Sequence, residues 1–449
     1  MKRITLAINA NQKKQTVLLV DSNPDLRSLA KNKLSFSKTK RVYIQRKNFA
    51  VESLDFSIIE QNDLVLVSAG EDYIGKAVMV QAFVEQESKV RVICNKAGVE
   101  DSALKQLEAV SQLPGLNYAV GMPDLHAGNQ FPIGAVFSFT NYLYPDLIGG
   151  DIGCGMALYK FKASKNIVSR PQKVADSIVE MEGGWKGDLS GWMSNYGLPS
   201  TSFDSSLGTI GRGNHFAEIQ LVHEIYDQDT FHSFGLEKDA AYLLVHSGSR
   251  GLGKHILEQH IENCGRGVGL PADSKEAQDY LIMHDQALRW AKCNRSIIAQ
   301  RIFDSMGIYK SELILDIWHN NISKIEGEYL HRKGAAPSNV PLIVIPGSRG
   351  TLSYVVVPTG DQKLNGYSVA HGAGRELSRQ KALTLNQKFK KPKTNVYGGV
   401  VICEDDDLYF EEAPNAYKNI DNVVQDLQDQ GIVKIVASFK PLVTYKMRK

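Results

Sequence analysis

The 449-residue sequence has few cysteines, almost no net charge and no long apolar run. Its 5 cysteines are widely separated and form no CxxC pair, which excludes a disulfide framework and a zinc finger and favours a reducing, intracellular environment. Lys and Arg number 52 against 49 Asp and Glu, a formal charge of +3. This balance excludes nucleic-acid binding by bulk charge, so any polyanion has to meet a local basic patch.

The apolar stretches are also short. None reaches the roughly 18 residues that cross a bilayer, and the apolar part of MKRITLAINANQKKQ is too short for a signal peptide, so we expect a cytoplasmic protein without membrane association. With 43% hydrophobic and 22% charged residues, the composition is that of a globular protein and excludes disorder and fibrous repeats. The length predicts two or three folding units, because single cores stop growing at about 250–300 residues.

The first 75 residues predict a small domain of their own. Alternating apolar residues in RITLAIN and TVLLVDS predict a hairpin around NQKKQ, DSNPDLRSLAKNKL predicts a short helix, and RVYIQRK and DLVLVSAG predict two further strands. This β-β-α-β-β order resembles ubiquitin-like (β-grasp) domains of the doublecortin type. The segment holds no acid, base or metal cluster, so we expect it to bind a protein partner or to serve assembly.

Residues 76–111 predict a polar linker with a helix in ALKQLEAVSQL, and residues 112–449 predict one large domain. In that domain, glycine gathers in short polar motifs at the ends of apolar segments, a pattern typical of loops that carry chemistry on a rigid scaffold. Longer helices are predicted in DSKEAQDYLIMHDQALRWAKCNRSIIAQRIF and NIDNVVQDLQDQG, where apolar residues recur at three and four.

Six of the 11 histidines lie in compact polar motifs, and three of these motifs, GNHF, LVHSGSRG and IWHNN, contribute His215, His246 and His319. The other three are His126 in PDLHAG, His331 in HRKG and His371 in AHGAGR.

The loop LIGGDIGCGM places Asp151 and Cys154 three residues apart. A thiolate beside a carboxylate is costly unless a cation neutralises the pair. With the three imidazoles, these residues provide more donors than one four-coordinate ion with an open position uses, so we infer two ions that share Cys154. A single structural zinc ion and a reactive cysteine without metal are the alternatives.

Three glycine–arginine motifs suit phosphate binding. GSRG at 248–251, GSRG at 347–350 and GAGR at 372–375 each join a closely approachable backbone to a guanidinium fork, and Lys333 in HRKG adds another cation. GSRGLGK at 248–254 also approaches a P-loop, but His255 stands where a Ser or Thr should hold magnesium, so we interpret that likeness as coincidence.

Taken together, ordered motifs over about residues 110–449 resemble the RtcB family of RNA ligases. They are MPDLHAG, GGDIGCGM, GTIGRGNHFAEI, LVHSGSRGLG, WAKCNR, WHNN, HRKGA, PGSRGT, AHGAGRELSR, EEAPNAYKNIDNVV and a terminal strand with a lysine. The resemblance implies an α+β catalytic domain with central β-sheets and surrounding helices. It also implies joining of RNA that ends in a 2′,3′-cyclic phosphate or 3′-phosphate to RNA with a 5′-hydroxyl, with GTP and manganese, in tRNA splicing or RNA repair.

The resemblance assigns roles to single residues. His371 would attack the α-phosphate of GTP and carry GMP, a task that suits a neutral imidazole near pH 7. Cys154 would bridge two Mn²⁺ ions, with His215 and His246 completing one site and Asp151 and His319 the other. Manganese comes from the resemblance alone, because the thiolate by itself would favour zinc.

The remaining roles concern the nucleotide and the phosphates. Asp124 matches an essential acidic position near the metals, Glu218 is suited to accept hydrogen bonds from the guanine edge, and Arg250, Lys333 and Arg375 would bind phosphates of GTP or RNA. The residues expected to line the guanylate pocket are Asn214, Phe216, Glu218, Ser348, His371, Gly372, Gly374, Tyr417 and Lys446.

One departure from the family pattern bears on substrate choice. Arg349 in PGSRGT stands where the family usually carries methionine, and we expect it to change which RNA end is gripped. Two other classes of protein remain open: a metal-dependent phosphoesterase that processes RNA ends without ligation, and a binding protein with an inactive catalytic half.

Overall fold

The computed structural model describes residues 2–21, 24–46, 49–53, 56–60, 63–73 and 89–448. The chain divides into two compact units, Met1–Glu87 and Ser88–Lys449. Among the described residues, no helix combines the length and the apolar character that a bilayer span requires.

The first unit is a mixed five-stranded sheet with one helix packed on it. The strands follow the order β2-β1-β5-β3-β4, in which β1 and β5 are parallel and the other neighbours are antiparallel. Leu26, Ala30 and Leu34 on one side of the helix pack against the sheet, with the four-residue spacing of an amphipathic helix. The elements are β1 Lys2–Ile8, β2 Asn11–Val20, α1 Leu26–Leu34, β3 Arg41–Arg46, β4 Phe49–Glu52 and β5 Leu64–Ser68.

Two details of this unit differ from the sequence prediction. NQKKQ was wrongly predicted as the hairpin turn, because it belongs to β2 and the turn lies at Asn9 and Ala10. The Asn9 side chain is buried and its amide donates to the Asp72 carbonyl at 2.9 Å, which favours the turn at that position. Strand β4 was not predicted. The ubiquitin-like assignment stays a prediction.

The second unit holds the rest of the described chain. Its strands are β6 Val90–Val92, β7 Leu116–His126, β8 Ile133–Phe139, β9 Tyr142–Leu143, β10 Gly155–Lys162, β11 Phe216–Ile225, β12 Ala240–Ser247, β13 Leu270–Pro271, β14 Ser311–Trp318, β15 Asn320–Ile325, β16 Glu328–Lys333, β17 Ala335–Pro337, β18 Ile343–Pro346, β19 Ser353–Pro358, β20 Ser368–Ala370, β21 Val400–Cys403 and β22 Val433–Met447. Its helices are α2 Asp101–Val110, α3 Pro145–Ile148, α4 Lys165–Ser169, α5 Pro171–Ser177, α6 Leu189–Asn195, α7 Gln228–Ser233, α8 Gly251–Cys264, α9 Lys275–Met306, α10 Arg379–Asn386, α11 Asp406–Glu411 and α12 Ile420–Asp429.

The expected linker at 76–111 lies partly in this second unit. Strand β6 pairs in parallel with β7, and α2 buries Ala103, Leu107 and Val110 against the same region. Residues 76–88 lie outside the described residues.

Two sheets form the body of this unit. The larger has the order β14-β10-β12-β11-β22-β19-β18, with β21 also paired to β22, and the smaller has the order β15-β16-β8-β7-β6. One apolar cluster joins both sheets, since it contains Leu158 and Leu244 of the larger sheet and Val120 and Val136 of the smaller. The mixed helix and strand content fits the expected α+β class.

Helix α9 covers the longest predicted helical stretch and packs on the larger sheet. Ser274 caps its start by accepting from the Ala277 N–H, and Gly307 ends it in a left-handed conformation with φ 66°. Ile298, Ile302 and Phe303 are buried in a cluster with residues of β10, β11 and β12. The helix thereby fixes the strands whose ends carry the candidate site.

Candidate active site

Four of the predicted metal ligands lie at one end of the larger sheet. Cys154 directly precedes β10, His215 precedes β11, His246 is the penultimate residue of β12, and His319 directly follows β14. These strands are antiparallel neighbours, so the end of one lies beside the start of the next. Residues that are far apart in sequence are thereby brought together.

The ligand atoms converge on Cys154. Its Sγ lies 3.3 Å from His215 Nε2 and 3.1 Å from His246 Nε2, while His246 Nε2 lies 3.3 Å from His319 Nε2. On the other side, Asp151 Oδ2 lies 2.9 Å from His215 Nε2. Two groups of donors result, one of Asp151, Cys154 and His215 and the other of Cys154, His246 and His319, each with its atoms within 4.8 Å of one another.

This grouping differs from the expected one. The expected sites pair His215 with His246 and Asp151 with His319. In the structure, Asp151 lies with His215, and His246 lies with His319. The reason is local: Asp151 Oδ2 contacts His215 Nε2, while His246 Nε2 lies 3.3 Å from His319 Nε2. Cys154 is the shared donor in either arrangement.

The chemistry of the donors fits divalent cations. Burial lowers the pKa of His246 and of His319 well below the usual range, so both imidazoles are neutral and can offer a nitrogen lone pair. Burial, and then the neighbouring Asp151, raises the pKa of the Cys154 thiol well above its usual value. A cation reverses this preference by stabilising the thiolate, which makes the cluster costly without metal and suited to it.

Two residues of α9 hold the loops that carry Cys154 and His246. Sequence analysis did not single out either residue. Arg295 is fully buried and donates to the carbonyls of Gly153 and Ser247, each at 2.8 Å. Asn294 donates to the Gly248 carbonyl at 3.2 Å. These contacts fix the backbone beside Cys154 and His246. The available signal was a polar pair, within WAKCNR, on an otherwise apolar helical face.

His371 lies beside this cluster and is held by Asp124. The carboxylate Oδ2 of Asp124 accepts from the His371 backbone N–H at 3.1 Å and lies 2.7 Å from Nδ1 of the ring. Because a carboxylate accepts, Nδ1 carries the proton and Nε2 keeps its lone pair. The ring of His371 lies 4.7 Å from that of His319, between centroids, so His371 adjoins the candidate metal donors.

A cavity of about 890 Å³ opens over these groups. All the residues expected to line a guanylate pocket line it, as do Lys333, Arg375 and the donors Asp151, Cys154, His246 and His319. His215, Asp124 and Arg250 are not among the lining residues. Asp124 contacts His371, whose ring adjoins His319, and its expected role near the metals stays a prediction.

Comparison with known proteins shows the family of this chain. The family described as "RtcB: tRNA-splicing ligase RtcB" matches residues 106–183 and 179–447. This chain belongs to the RtcB family.

Relatives in this RtcB family include the RNA-splicing ligase RtcB2 of Escherichia coli, 40% identical over 366 residues that cover 78% of this chain and 93% of the relative. The tRNA-splicing ligase RtcB of Methanococcus maripaludis is 30% identical over 442 residues, covering 78% and 92%. The RNA-splicing ligase RtcB homolog 1 of Entamoeba dispar is 30% identical over 438 residues, covering 77% and 82%.

One wall of the cavity in this RtcB family member contains a buried acid that sequence analysis missed. Glu412 accepts from Arg375 at 2.9 Å and from the Tyr417 hydroxyl, and Arg379 lies 3.6 Å away. Burial opposes its ionisation, but Lys446 and Arg375 outweigh burial and hold the pKa of Glu412 below its usual value. The carboxylate thus fixes Arg375 in the wall of the cavity. It lies in EEAPNAYKN, where the two adjacent acids were the available signal.

Arg349 is built into the same wall. Its guanidinium lies over the Tyr409 ring at 4.0 Å from the centroid and donates to the Glu412 carbonyl at 2.5 Å. The side chain is therefore held by stacking and hydrogen bonding while it lines the cavity. The expected effect of Arg349 on the choice of RNA end stays a prediction.

Glu218 faces the cavity with both carboxylate oxygens engaged. Gln220 donates to one oxygen at 2.7 Å and Thr444 to the other at 2.5 Å. Burial raises the pKa of Glu218 to about 7. Each oxygen keeps a second lone pair, so the residue can still accept from a bound base.

The loop before α8 contrasts with a P-loop. Arg250 has φ 55°, a strained conformation for a non-glycine residue, and its Nε donates to Thr209 Oγ1 at 3.3 Å. Lys254 is exposed and pairs with Glu258 at 3.4 Å. The lysine does not reach the cavity, which supports the interpretation of GSRGLGK as coincidence.

Proposed function

We propose that this protein is a GTP-dependent RNA ligase that joins RNA ending in a 2′,3′-cyclic phosphate or 3′-phosphate to RNA with a 5′-hydroxyl, in RNA repair or tRNA splicing. The observation that carries the proposal is the placement of His371, oriented by Asp124, beside two groups of metal donors in one cavity. The names of its RtcB relatives agree with RNA ligation.

In the first step, His371 Nε2 attacks the α-phosphate of GTP, a P–N bond forms, and pyrophosphate leaves. Asp124 holds the Nδ1 proton, so the attacking nitrogen carries a lone pair and the positive charge that develops on the ring faces a carboxylate. The resulting histidine–GMP bond is labile because the imidazole is a good leaving group once protonated.

Arg375 and Lys333 line the cavity and supply cations for the phosphates. Glu412 keeps Arg375 in position through its hydrogen bond at 2.9 Å. Two Mn²⁺ ions, held by the two donor groups that share Cys154, would neutralise charge on the reacting phosphates and orient them.

In the second step, an oxygen of the RNA 3′-phosphate attacks the GMP phosphorus and His371 leaves. In the third, the 5′-hydroxyl attacks the activated 3′-phosphate, a phosphodiester forms and GMP leaves. A cyclic end is first hydrolysed to a 3′-phosphate. All three transfers occur at phosphorus, where positioning and charge neutralisation provide most of the rate.

Radiolabelled GTP tests this proposal. Protein incubated with Mn²⁺ and α-labelled GTP is expected to acquire a covalent label that His371→Ala abolishes, while His223→Ala, an exposed histidine outside the cavity, keeps it. Opening of a cyclic phosphate without any adduct would instead identify an RNA-end phosphoesterase. Absence of both activities, with Mn²⁺, GTP and both RNA ends supplied, would identify a binding protein.

A further inference from the structure

The segment 377–403 differs in charge from the rest of the chain. It contains 6 Lys and Arg residues and no Asp or Glu, whereas the whole chain has a formal charge of only +3. The cations are Arg379, Lys381, Lys388, Lys390, Lys391 and Lys393. Such a local patch is what a chain without excess bulk charge requires to bind a polyanion.

Most of these cations are available. Lys381, Lys388, Lys390 and Lys393 are exposed and make no ion pair within the part of the chain that the structure describes. The other two have acidic partners, since Lys391 pairs with Asp406 and Arg379 lies 3.6 Å from Glu412. Like charges within one segment repel one another in the absence of a counter-ion, so the segment favours an anionic ligand.

A shallow groove of about 410 Å³ runs along helix α10 within this segment. Its walls are apolar at Leu377 and Leu385 and cationic at Lys381 and Lys388. Leu377 and Lys381 also line the main cavity, so the groove adjoins the candidate active site. Phe389, just beyond the groove, is 65% exposed.

We propose that this groove, together with Phe389 and the lysines that follow, binds the single-stranded segment of RNA next to the reacting end. The proposal rests on the proposed function and specifies how the substrate strand leaves the cavity. Lysine ammonium groups meet the phosphates, and the apolar wall and the phenyl ring meet riboses and bases, the combination by which single strands are bound without sequence preference. Continuity with the cavity favours the RNA strand over an acidic protein.

The test is the triple variant Lys388→Ala/Lys390→Ala/Lys393→Ala, which removes cations outside the catalytic cavity. Affinity for a 12-nucleotide single-stranded RNA with a 3′-phosphate is measured by fluorescence anisotropy across a range of salt concentrations. Each phosphate contact to a single strand contributes about a factor of 5 to the binding constant at 0.1 M salt. For three lysines we expect the affinity to fall on the order of 100-fold. The slope of log affinity against log salt concentration should become smaller by about 2.

Matched controls separate this groove from general charge. The variant Lys105→Ala/Lys238→Ala/Lys310→Ala removes three exposed lysines elsewhere and is expected to keep wild-type affinity. Phe389→Ala is expected to weaken binding by about 10-fold through lost stacking, and Phe389→Tyr to restore it. A trinucleotide with a 3′-phosphate is expected to bind wild type and the triple variant equally.

Labelling by GTP without RNA distinguishes this proposal from the proposed function. The triple variant is expected to label as wild type does. Unchanged affinity for the 12-mer, or equal losses in both triple variants, would overturn the groove proposal. Wild type that binds RNA through these lysines but never labels would instead overturn GTP-dependent ligation and leave the groove intact.

Discussion

Asp124→Asn tests how the nucleophile is prepared. The substitution keeps the size of the side chain and removes the negative charge that faces Nδ1 of His371 at 2.7 Å. If the NH2 group of the new asparagine faces the ring, Nδ1 has to accept a hydrogen bond. The ring proton then moves to Nε2, and the lone pair that attacks is lost. If the amide oxygen faces the ring, the tautomer survives but the charge developing in the transition state is no longer neutralised.

The expected loss follows from the geometry. A unit charge on the imidazole ring about 4 Å from the carboxylate is stabilised by about 4 kcal/mol at an effective dielectric constant of 20. At 1.36 kcal/mol per tenfold change in rate, that corresponds to about a thousandfold. A wrong tautomer adds to this, as in the Ser-His-Asp triad, where Asp→Asn costs about 10⁴. We therefore expect adduct formation to slow by about 10³- to 10⁴-fold.

The assay is single-turnover formation of the labelled protein with excess GTP and Mn²⁺. Asp426→Asn is the matched control. Asp426 is also a buried carboxylate, and it accepts hydrogen bonds from the backbone N–H groups of Asn95, Lys96 and Ala97. It lies outside the cavity lining. Each variant is first shown to unfold cooperatively. Labelling of folded Asp124→Asn within tenfold of wild type would refute the role assigned to Asp124.

Three further predictions address the metals, the nucleotide wall and pH. Cys154→Ala removes the donor common to both groups and is expected to lose both Mn²⁺ ions and all labelling; two ions retained after dialysis, by elemental analysis, would contradict the ligand assignment. Arg349→Met loses the stack on Tyr409 and a hydrogen bond, so we expect about 1–2 kcal/mol less stability in urea and a larger change in RNA-end preference than in labelling; equal effects on both steps would count against it. Burial raises the pKa of Glu218 from 4.5 to about 7, so the folded protein retains a proton that the unfolded chain releases. The free energy of unfolding therefore falls as pH rises from about 5 to 8, by at most about 3 kcal/mol from this group. Glu218→Gln should remove that part of the slope in urea unfolding, and identical slopes would contradict the assignment.

Sequence analysis could nominate the side chains because their motifs lie where apolar segments end. The adjacency of Cys154, His215, His246 and His319 depends on the strand order β14-β10-β12-β11, which periodicity does not reveal. For that reason the motifs gave the donors but not their division into two groups.

Other features required contacts between distant segments. The partner of Asp124 lies 247 residues away, and the spacing of the motifs gives no sign that its carboxylate faces His371. Sequence analysis did not single out Glu412, because an acidic residue next to other acidic residues is typical of an exposed surface. Only the packing shows that Arg375 and Tyr417 contact it. The hairpin turn was misplaced because the buried contact of Asn9 outweighs local turn preference.

Mapping of the nucleotide on the protein tests the central claim most directly. Wild-type protein treated with Mn²⁺ and GTP is digested and analysed by tandem mass spectrometry under neutral conditions, which preserve a phosphorus–nitrogen bond. We expect the mass of one GMP group on the side chain of His371, and on no other residue. GMP on a different side chain, or efficient RNA joining with an unmodified His371 throughout turnover, would contradict the account.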